Sequence, residues 1–422
     1  MDSRFDHKKG ALLLAAALGI ASTADAAEPL PGADVASVRA WLIQHNPELQ
    51  ALQAEVEAAE ARVLPAGALP DPMVSVELQG IDTDRPRLLP GQVGATIYRV
   101  KQSLPLWGKR ELARGIADTQ ARAARHAREA AAWLALAQAE ASYVRYWHAR
   151  EAVATIDRRI ALVAQIGEVA GMRYALGVAA QQDAIRAQVE RTGMQRERIE
   201  RDAIRREAVA ELNAALGRPA GAELAEPAGP PALDVGPADM VDALRALERD
   251  VHPALQASAA TADAALRDAE LQRRQRFPDL TVGVGLMQID SHADSYELMF
   301  EIEIPFQQRA RREREREARA RATAAEARLQ VTRLELEARL GSAWAQWAGA
   351  REQRGLIERT LIPQARANYE SAMASYQVGQ VDFGTLLEAL DAWQGAELAR
   401  VDAVRDELVG AAVLRGTLGS IE

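Results

Sequence analysis

Six histidines, the side chains best suited to move protons or hold metals near neutral pH, stand at His7, His45, His126, His148, His252 and His292. No two lie three or four residues apart and no His-Glu-x-x-His occurs, so spacing encodes no zinc site. Cysteine is absent, which removes disulfides, thiol nucleophiles, thiolate metal sites and an N-terminal cysteine that could carry a lipid. Gly108-Lys109 resembles the end of a phosphate loop, but Ser103 stands where the first glycine is needed and Arg110 where Ser or Thr is needed. Gly283 and Gly285 alternate within a strand pattern and suit close backbone packing rather than a nucleotide. Arginine and glutamate fill 309–321, with Arg309/Glu313, Arg311/Glu315, Glu315/Arg319 and Glu317/Arg321 at i,i+4, the pattern of a solvated helix face. Neither a catalytic constellation nor a cofactor or metal site emerges, and the chain is not expected to be an enzyme.

Composition indicates what such a chain is built from. Among 422 residues only 5% are aromatic and 26% are charged, and the apolar content rests on alanine and leucine, as in long helices and coiled coils. A net charge of -9 argues against nucleic acid as a partner, because a binder concentrates positive charge to neutralise phosphates. Residues 1–27 read as a secretory signal peptide. Lys8 and Lys9 form its charged start, Ala11 to Ala21 its apolar run, and Ala24-Asp25-Ala26 its small-residue exit. The mature chain is expected to be exported, since that apolar run is about half the ~20 residues that span a bilayer.

Beyond the signal the chain reads as two copies. Asn46-Pro47-Glu48-Leu49 recurs as His252-Pro253-Ala254-Leu255, Pro70-Asp71 as Pro278-Asp279, and Leu104-Pro105-Leu106 as Ile304-Pro305-Phe306. Tyr174-x-x-Gly177 recurs as Tyr376-x-x-Gly379, and Leu216-Gly217 as Leu418-Gly419. The order is kept at a spacing of roughly 200 residues, the mark of an internal duplication. The expected division is a first repeat over 28–217, a Pro/Gly/Ala-rich linker over 218–237 and a second repeat over 238–422.

Each repeat divides alike: a helix (about 34–64 and about 238–276), a β-hairpin (73–104 and 280–306), then a long helical hairpin turning at 174–178 or 376–380. At ~1.5 Å per residue, the ~70-residue arm of that hairpin is about 105 Å long, its ~40-residue arm about 60 Å, and the preceding helix about 45 Å. The two short helices together match the long one, so they are expected to stack end to end beside it. Rods of this length cannot surround a compact core and must pack sideways. Leu329, Leu336, Leu340, Ala343 and Trp347 form a coiled-coil seam, and Leu334, Ala338 and Ala345 mark a second face. Two packing faces suit a stave in a ring, or one buried helix of a solid bundle.

In 296–306 every even position is apolar, including Tyr296, Leu298, Phe300 and Ile302, while Glu297, Glu301 and Glu303 share the opposite face. Leu280, Val282, Val284 and Leu286 alternate with Thr281, Gly283 and Gly285, and Val74, Val76 and Leu78 with Ser75, Glu77 and Gln79. Polar loops are expected over Gly80 to Gly91 and Asp290 to Ser295. Four strands cannot close a barrel alone. With strands of other chains, twelve in a symmetric trimer, they could close one in a membrane; equally, they could cover a soluble helical domain.

These residues resemble the TolC-type outer-membrane factor family over essentially the whole mature chain. The specific marks are Asn46-Pro47-Glu48-Leu49, Leu104-Pro105-Leu106-Trp107-Gly108-Lys109-Arg110 and the two Tyr-x-x-Gly turns. The resemblance implies a mainly helical fold with a small β part. Duplicated helical hairpins would build an α-barrel, and the four antiparallel strands would contribute to a trimeric twelve-stranded transmembrane β-barrel. It also implies a homotrimer in the outer membrane of a Gram-negative bacterium, in contact with outer-membrane lipid and with a long periplasmic extension. Its partners would be a periplasmic adaptor (membrane fusion) protein and an inner-membrane pump of the RND type.

On the same resemblance Tyr174, Gly177, Asp183, Tyr376 and Gly379 belong to the periplasmic tip that meets the adaptor, and Thr385 and Glu388 are candidates for a pore gate. Thr385 stands where an acid is often found, so an acidic ring rests on Glu388. Ordinary helix-surface charge is the alternative for Asp183 and Glu388. Tyr296, Leu298, Phe300 and Ile302 would face lipid. The Leu-Pro-Leu-Trp-Gly-Lys-Arg segment is most similar to the heavy-metal-efflux branch that includes CusC and CzcC. The function implied is a passive outer-membrane channel of a tripartite efflux system, with heavy-metal cations as one class of solute. The alternative is a soluble periplasmic coiled-coil scaffold or adaptor.

Overall fold

The computed structural model describes residues 29–233, 239–249 and 252–419. The signal segment 1–27, the end of the linker and the last three residues lie outside them. Three helices open the chain, α1 (Val35–His45), α2 (Pro47–Ala61) and α3 (Val63–Gly67), followed by strands β1 (Met73–Gln79) and β2 (Ala95–Leu104). A helical hairpin follows, α4 (Lys109–Ala175) and α5 (Gln181–Ala215). The second half repeats the plan: α6 (Met240–Arg249), α7 (Pro253–Arg274), β3 (Leu280–Ile289), β4 (His292–Ile302), α8 (Gln308–Leu356), α9 (Ile362–Gln377) and α10 (Phe383–Leu418).

The single helices expected over 34–64 and 238–276 are each broken, and the break is chemical. Asn46 accepts the N–H groups of Glu48 and Leu49 and so caps α2, with Pro47 at its first position, where a missing N–H costs nothing. His252 does the same for α7: its Nδ1 accepts the Ala254 N–H ahead of Pro253. These breaks are where the short helices meet end to end. Asn46 donates to the Ala215 carbonyl at the end of α5 (3.3 Å). Gly217, at φ 72°, lies so close to Pro47 that a Cβ would sit 2.4 Å from its Cδ. Gly419 approaches His252 and Pro253 less closely, a Cβ there standing 3.3 Å from His252 Cδ2 and 3.8 Å from Pro253 Cδ.

α4 runs unbroken for 67 residues, about 100 Å. Its counterpart is interrupted by a π-helical turn over Ile357–Leu361, just before Pro363. A proline inside a helix lacks an N–H and its ring collides with the carbonyl four residues back, here Arg359, so a widened turn relieves the clash.

The helices lie side by side as staves. α2 and α5 flank α4 on one side, α7 and α10 flank it on the other, and α8 with α9 lies beyond them. Small residues permit close approach. Ala139, Ala149, Ala152, Ala322, Ala343 and Ala412 are buried, and a Cβ on Gly416 would stand 2.3 Å from that of Ala137. Leu336, Leu340, Ala343 and Trp347 of the expected seam are buried, whereas Leu334, Ala338 and Ala345 of the second face are exposed. α8 is the last stave of the layer, and that face has no neighbour among the described residues.

The four strands form one antiparallel sheet in the order β1-β2-β3-β4. β4 ends at Ile302, so Ile304 and Phe306 lie beyond it, and β3 runs on to Ile289. The long polar loop expected over 290–295 is a two-residue turn instead. Asp290 adopts φ 52°, one of the few side chains that tolerate this, and His292 to Ser295 belong to β4.

Candidate functional site

The register sorts the sheet into two chemically opposite faces. Val74, Val100, Val284 and Leu298 form one cross-strand row, Val76, Tyr98, Leu286 and Tyr296 the next, with Phe300 and Ile302 further along. This face is uncovered: Tyr296 is 86% exposed, Leu298 66%, Phe300 64% and Ile302 61%. Aliphatic and aromatic side chains in such an array lose roughly 25 cal/mol for every Å² left in water, so a single chain in water is not a stable end state.

The opposite face carries the charges. Arg99 bridges Glu77 on β1 and Glu297 on β4, and Lys101 Nζ lies 2.6 Å from Glu301. β3 stands between these partners, and its residues there are Gly285 and Gly283. A Cβ at Gly285 would lie 3.2 Å from Arg99 Cγ and from Glu297 Oε2, so glycine lets the arginine cross a strand. The alternating glycines therefore accommodate an ionic ladder.

The Leu-Pro-Leu-Trp-Gly-Lys-Arg segment joins sheet to helices by gripping the other half of the chain. The Leu106 N–H donates to Asp279 Oδ1 (3.0 Å) and Trp107 Nε1 to the Pro278 carbonyl (2.8 Å). Buried Lys109 donates to the Phe277 carbonyl and to Asp279 (both 2.8 Å), while Arg110 donates to the Gly67 carbonyl. Trp107 takes φ 63°, a strained value for a large side chain that persists because these contacts hold it. The pairing with 277–279 could not be found from one segment alone, since those partners lie about 170 residues apart.

At the far end of the staves the two turns share one geometry. Gly177 (φ 72°) donates to the Tyr174 carbonyl while Val178 donates to that of Arg173. Gly379 (φ 76°) donates to Tyr376 while Gln380 donates to Ser375. This is a Schellman closure, which needs a left-handed residue and favours glycine. Arg173, which the sequence did not single out, links the two turns. Its Nη1 donates to the carbonyls of Tyr376 (2.7 Å) and Gln377 (2.8 Å), and its guanidinium lies 4.7 Å from the Tyr376 ring centre. Tyr174 is 46% exposed whereas Tyr376 is 3% exposed. Burial, and then the nearby Asp183 carboxylate, push the Tyr376 phenol above its usual pKa.

Thr385 and Glu388 lie exposed on α10, opposite the buried Phe383, Leu386 and Leu390. Thr385 has a local role as well: Asp382 caps α10 by accepting its N–H (2.8 Å) and its hydroxyl (2.9 Å). Further along, His148 is buried with Nε2 2.7 Å from Asp402, and Arg405 closes the cluster, tying α4 to α10. Glu140, fully buried, is met by Arg39 (2.6 Å).

The Arg/Glu run corrects one expectation. Glu315/Arg319 and Glu317/Arg321 pair as read, but Glu313 pairs with Arg316 and Arg311 donates to the Gln275 carbonyl. Glu315 is buried and also meets Arg276, just past the end of α7, because this stretch packs against a neighbouring stave rather than facing solvent alone. Among the described residues no helix is long and apolar enough to cross a membrane, and no group of three His, Asp or Glu could hold a metal ion.

The outer membrane efflux protein family matches residues 40–218 and 244–420. The chain belongs to this family. No curated protein sequence gives a match. Among solved structures the chain is similar to the outer-membrane channel OprN, at 20% identity over 91% of this chain and 89% of that one, with a TM-score of 0.77. CusC, described in terms of folding and transmembrane channel formation, is 16% identical over 91% and 92%, with a TM-score of 0.75. VceC, an outer membrane protein of Vibrio cholerae, is 18% identical over 91% and 96%, with a TM-score of 0.76. The fold of these channels, a helical barrel joined to a β-barrel, is the fold of this efflux-family chain.

Proposed function

We propose that the protein is the passive outer-membrane exit duct of a tripartite efflux system. Three copies bring four strands each to a twelve-stranded barrel, and their staves continue it as a helical tube through the periplasm. The observation that carries this reading is the sheet: its apolar face is fully presented and its charged face, laddered across β3, turns the other way. Closure in a membrane covers the first with lipid and leaves the second to a water-filled bore. The exposed Leu334, Ala338 and Ala345 of α8, and Ile185, Val189 and Ile199 of α5, then meet neighbouring copies. A soluble scaffold would have to cover the sheet's apolar face, and no described part of the chain does so.

The tip, with Tyr174, Gly177, Asp183, Tyr376 and Gly379, is the contact for a periplasmic adaptor, and an inner-membrane pump of the RND type supplies the energy. Glu388 and Thr385 project from α10 close to that end, where three copies would place like charges around one axis. Heavy-metal cations are the solute class suggested by the Leu-Pro-Leu-Trp-Gly-Lys-Arg segment. Its side chains, however, are committed to the joint between sheet and helices, so selectivity for that solute would have to come from the bore.

The test is extraction and reconstitution. The protein should leave the outer membrane only with detergent, run as a trimer and conduct in planar bilayers; a detergent-free monomer overturns the proposal. Phe300→Arg should destabilise the trimer by about 2–4 kcal/mol if this side chain faces lipid near the midplane, read as a lower melting temperature of the trimer on gels.

A further inference from the structure

Where the sheet meets the staves, a cavity of about 730 Å³ opens between the end of α7 and the start of α8. Arg273, Arg274, Arg276 and Arg312 line it together with the aromatic pair Trp107 and Phe277, whose ring centres are 5.2 Å apart and which are 53% and 48% exposed. The local carboxylates are fewer than the guanidinium groups. Arg273 and Arg274 share Glu270, Arg276 reaches Glu315 at 3.3 Å, and Arg312 has no ion pair among the described residues. Arg274 also donates to the Trp107 carbonyl (2.7 Å), passing where a Cβ on Gly108 would stand. Gln308, the first residue of α8, lines the same cavity, and that helix start has no side-chain cap. The positive dipole end of α8 adds to the pull on an anion.

The cavity lies on the outside of the layer. Tyr143 and Tyr146 of α4 donate to carbonyls of Ala33, Gly229 and Ala225, so segments 29–34 and 218–233 cover that side. Those segments can lie only outside a tube whose bore stays open. Trp107, in ring contact with Phe277, stands three residues beyond Leu104, which pairs with Leu280 on the apolar face that the barrel reading turns outward. In height it directly follows Leu104, which shares a sheet row with Leu280 and Ile302 at the helix end of the apolar face. Exposed aromatic rings at that boundary are characteristic of a membrane interface.

We propose that the cavity seats the headgroup of an anionic phospholipid from the membrane leaflet nearest the helices, with the phosphate among the arginines and the acyl chains along the sheet's apolar face. This rests on the reading of the sheet as a membrane barrel. The leaflet is set by topology: the cavity is at the end of the sheet that joins the helices, opposite the turns at 80–94 and 290–291.

The experiment is native mass spectrometry of the detergent-purified full-length trimer, titrated with phosphatidylglycerol or phosphatidylcholine, for the wild type and for Arg273→Gln/Arg312→Gln. The wild type should retain phosphatidylglycerol in preference to phosphatidylcholine. The double variant should lose about thirtyfold in that preference, each arginine near an anionic lipid being worth roughly fivefold. Millimolar inorganic phosphate should not displace the lipid. Equal retention of both lipids, an unchanged double variant, or displacement by phosphate each overturns the proposal, the last by making this a soluble-anion site. Should the double variant fail to assemble, Arg312→Gln alone, at an exposed and unpaired position, should lose about fivefold, and no loss overturns the proposal. Insertion into bilayers without lipid preference overturns this proposal only, whereas failure to insert overturns the channel reading as well.

Discussion

The two halves of the chain build the same hairpin and finish it differently. The first turn presents Tyr174, 46% exposed, whereas its counterpart Tyr376 in the second is tucked beneath Arg173, although Leu176 and Val378 at the two tips are both exposed. α10 starts on the Asp382 cap, whereas α5 starts at Ala180 with no side-chain cap. The long stave of the first half is continuous and that of the second carries a π turn. The repeated order of elements therefore comes with a common backbone, and the residues that differ anchor the tyrosine of one turn and leave that of the other exposed. On the proposed function, a tip that both holds a ring closed and meets an adaptor gains from dividing those tasks.

The largest test of that division is Arg173→Ala. Removing a guanidinium that donates to two carbonyls costs about 1.5–3 kcal/mol for a charged hydrogen bond, and hydrogen exchange should speed up at 376–380 while 174–178 stays as it was. Equal acceleration at both turns would show that neither anchors the other. The glycine turns come next. Gly177→Val and Gly379→Val each force a β-branched residue into the left-handed region at about 1–2 kcal/mol, so thermal melts should fall alike. Their adaptor binding should part, with the presented first turn losing more in a pull-down.

A smaller, pH-dependent effect separates the helix breaks. Burial holds the His252 imidazole below its usual pKa, and the neutral ring accepts the Ala254 N–H through Nδ1. Because the folded-state value is lowered, its contribution is present above the unfolded value near 6.5 and declines as pH falls below it. His252→Asn should remove this acid sensitivity and make the second break resemble Asn46 in the first, as read by melting temperature between pH 7 and about 5. The smallest effect is expected at exposed Asp382, whose carboxyl is held below its usual pKa chiefly by the Thr385 N–H. That cap persists above the ordinary carboxylate range and is lost as pH falls through the lowered value. Asp382→Ala should fray the start of α10 at neutral pH, and Asp382→Asn should not.

Much of this architecture was legible in the residues. Even-position apolar side chains from Tyr296 to Ile302 gave the exposed face of β4, and Tyr-x-x-Gly gave turns whose glycines are left-handed. The breaks at Asn46-Pro47 and His252-Pro253 were visible as repeats but not as caps, because either motif can sit inside a longer helical pattern until its partner at Ala215 or Gly419 arrives. The two-residue turn at Asp290 was hidden because polar residues resemble a loop even when they continue a strand. Arg173 gave no signal, since one arginine in a helix rich in them looks like any other.

Sequence alone determined the repeated order of elements, the stave lengths and which side chains share a strand face, because each follows from local periodicity, recurring motifs or a fixed rise per residue. Only the tertiary structure decided that Trp107 and Lys109 grip residues 277–279, that Arg99 crosses Gly285 to reach Glu297, and that Arg173 anchors the opposite turn. The physical reason is the same in each case. These contacts join segments about 170 to 200 residues apart, and which side chains meet depends on sheet register and stave order, for which no single segment carries a periodic signal.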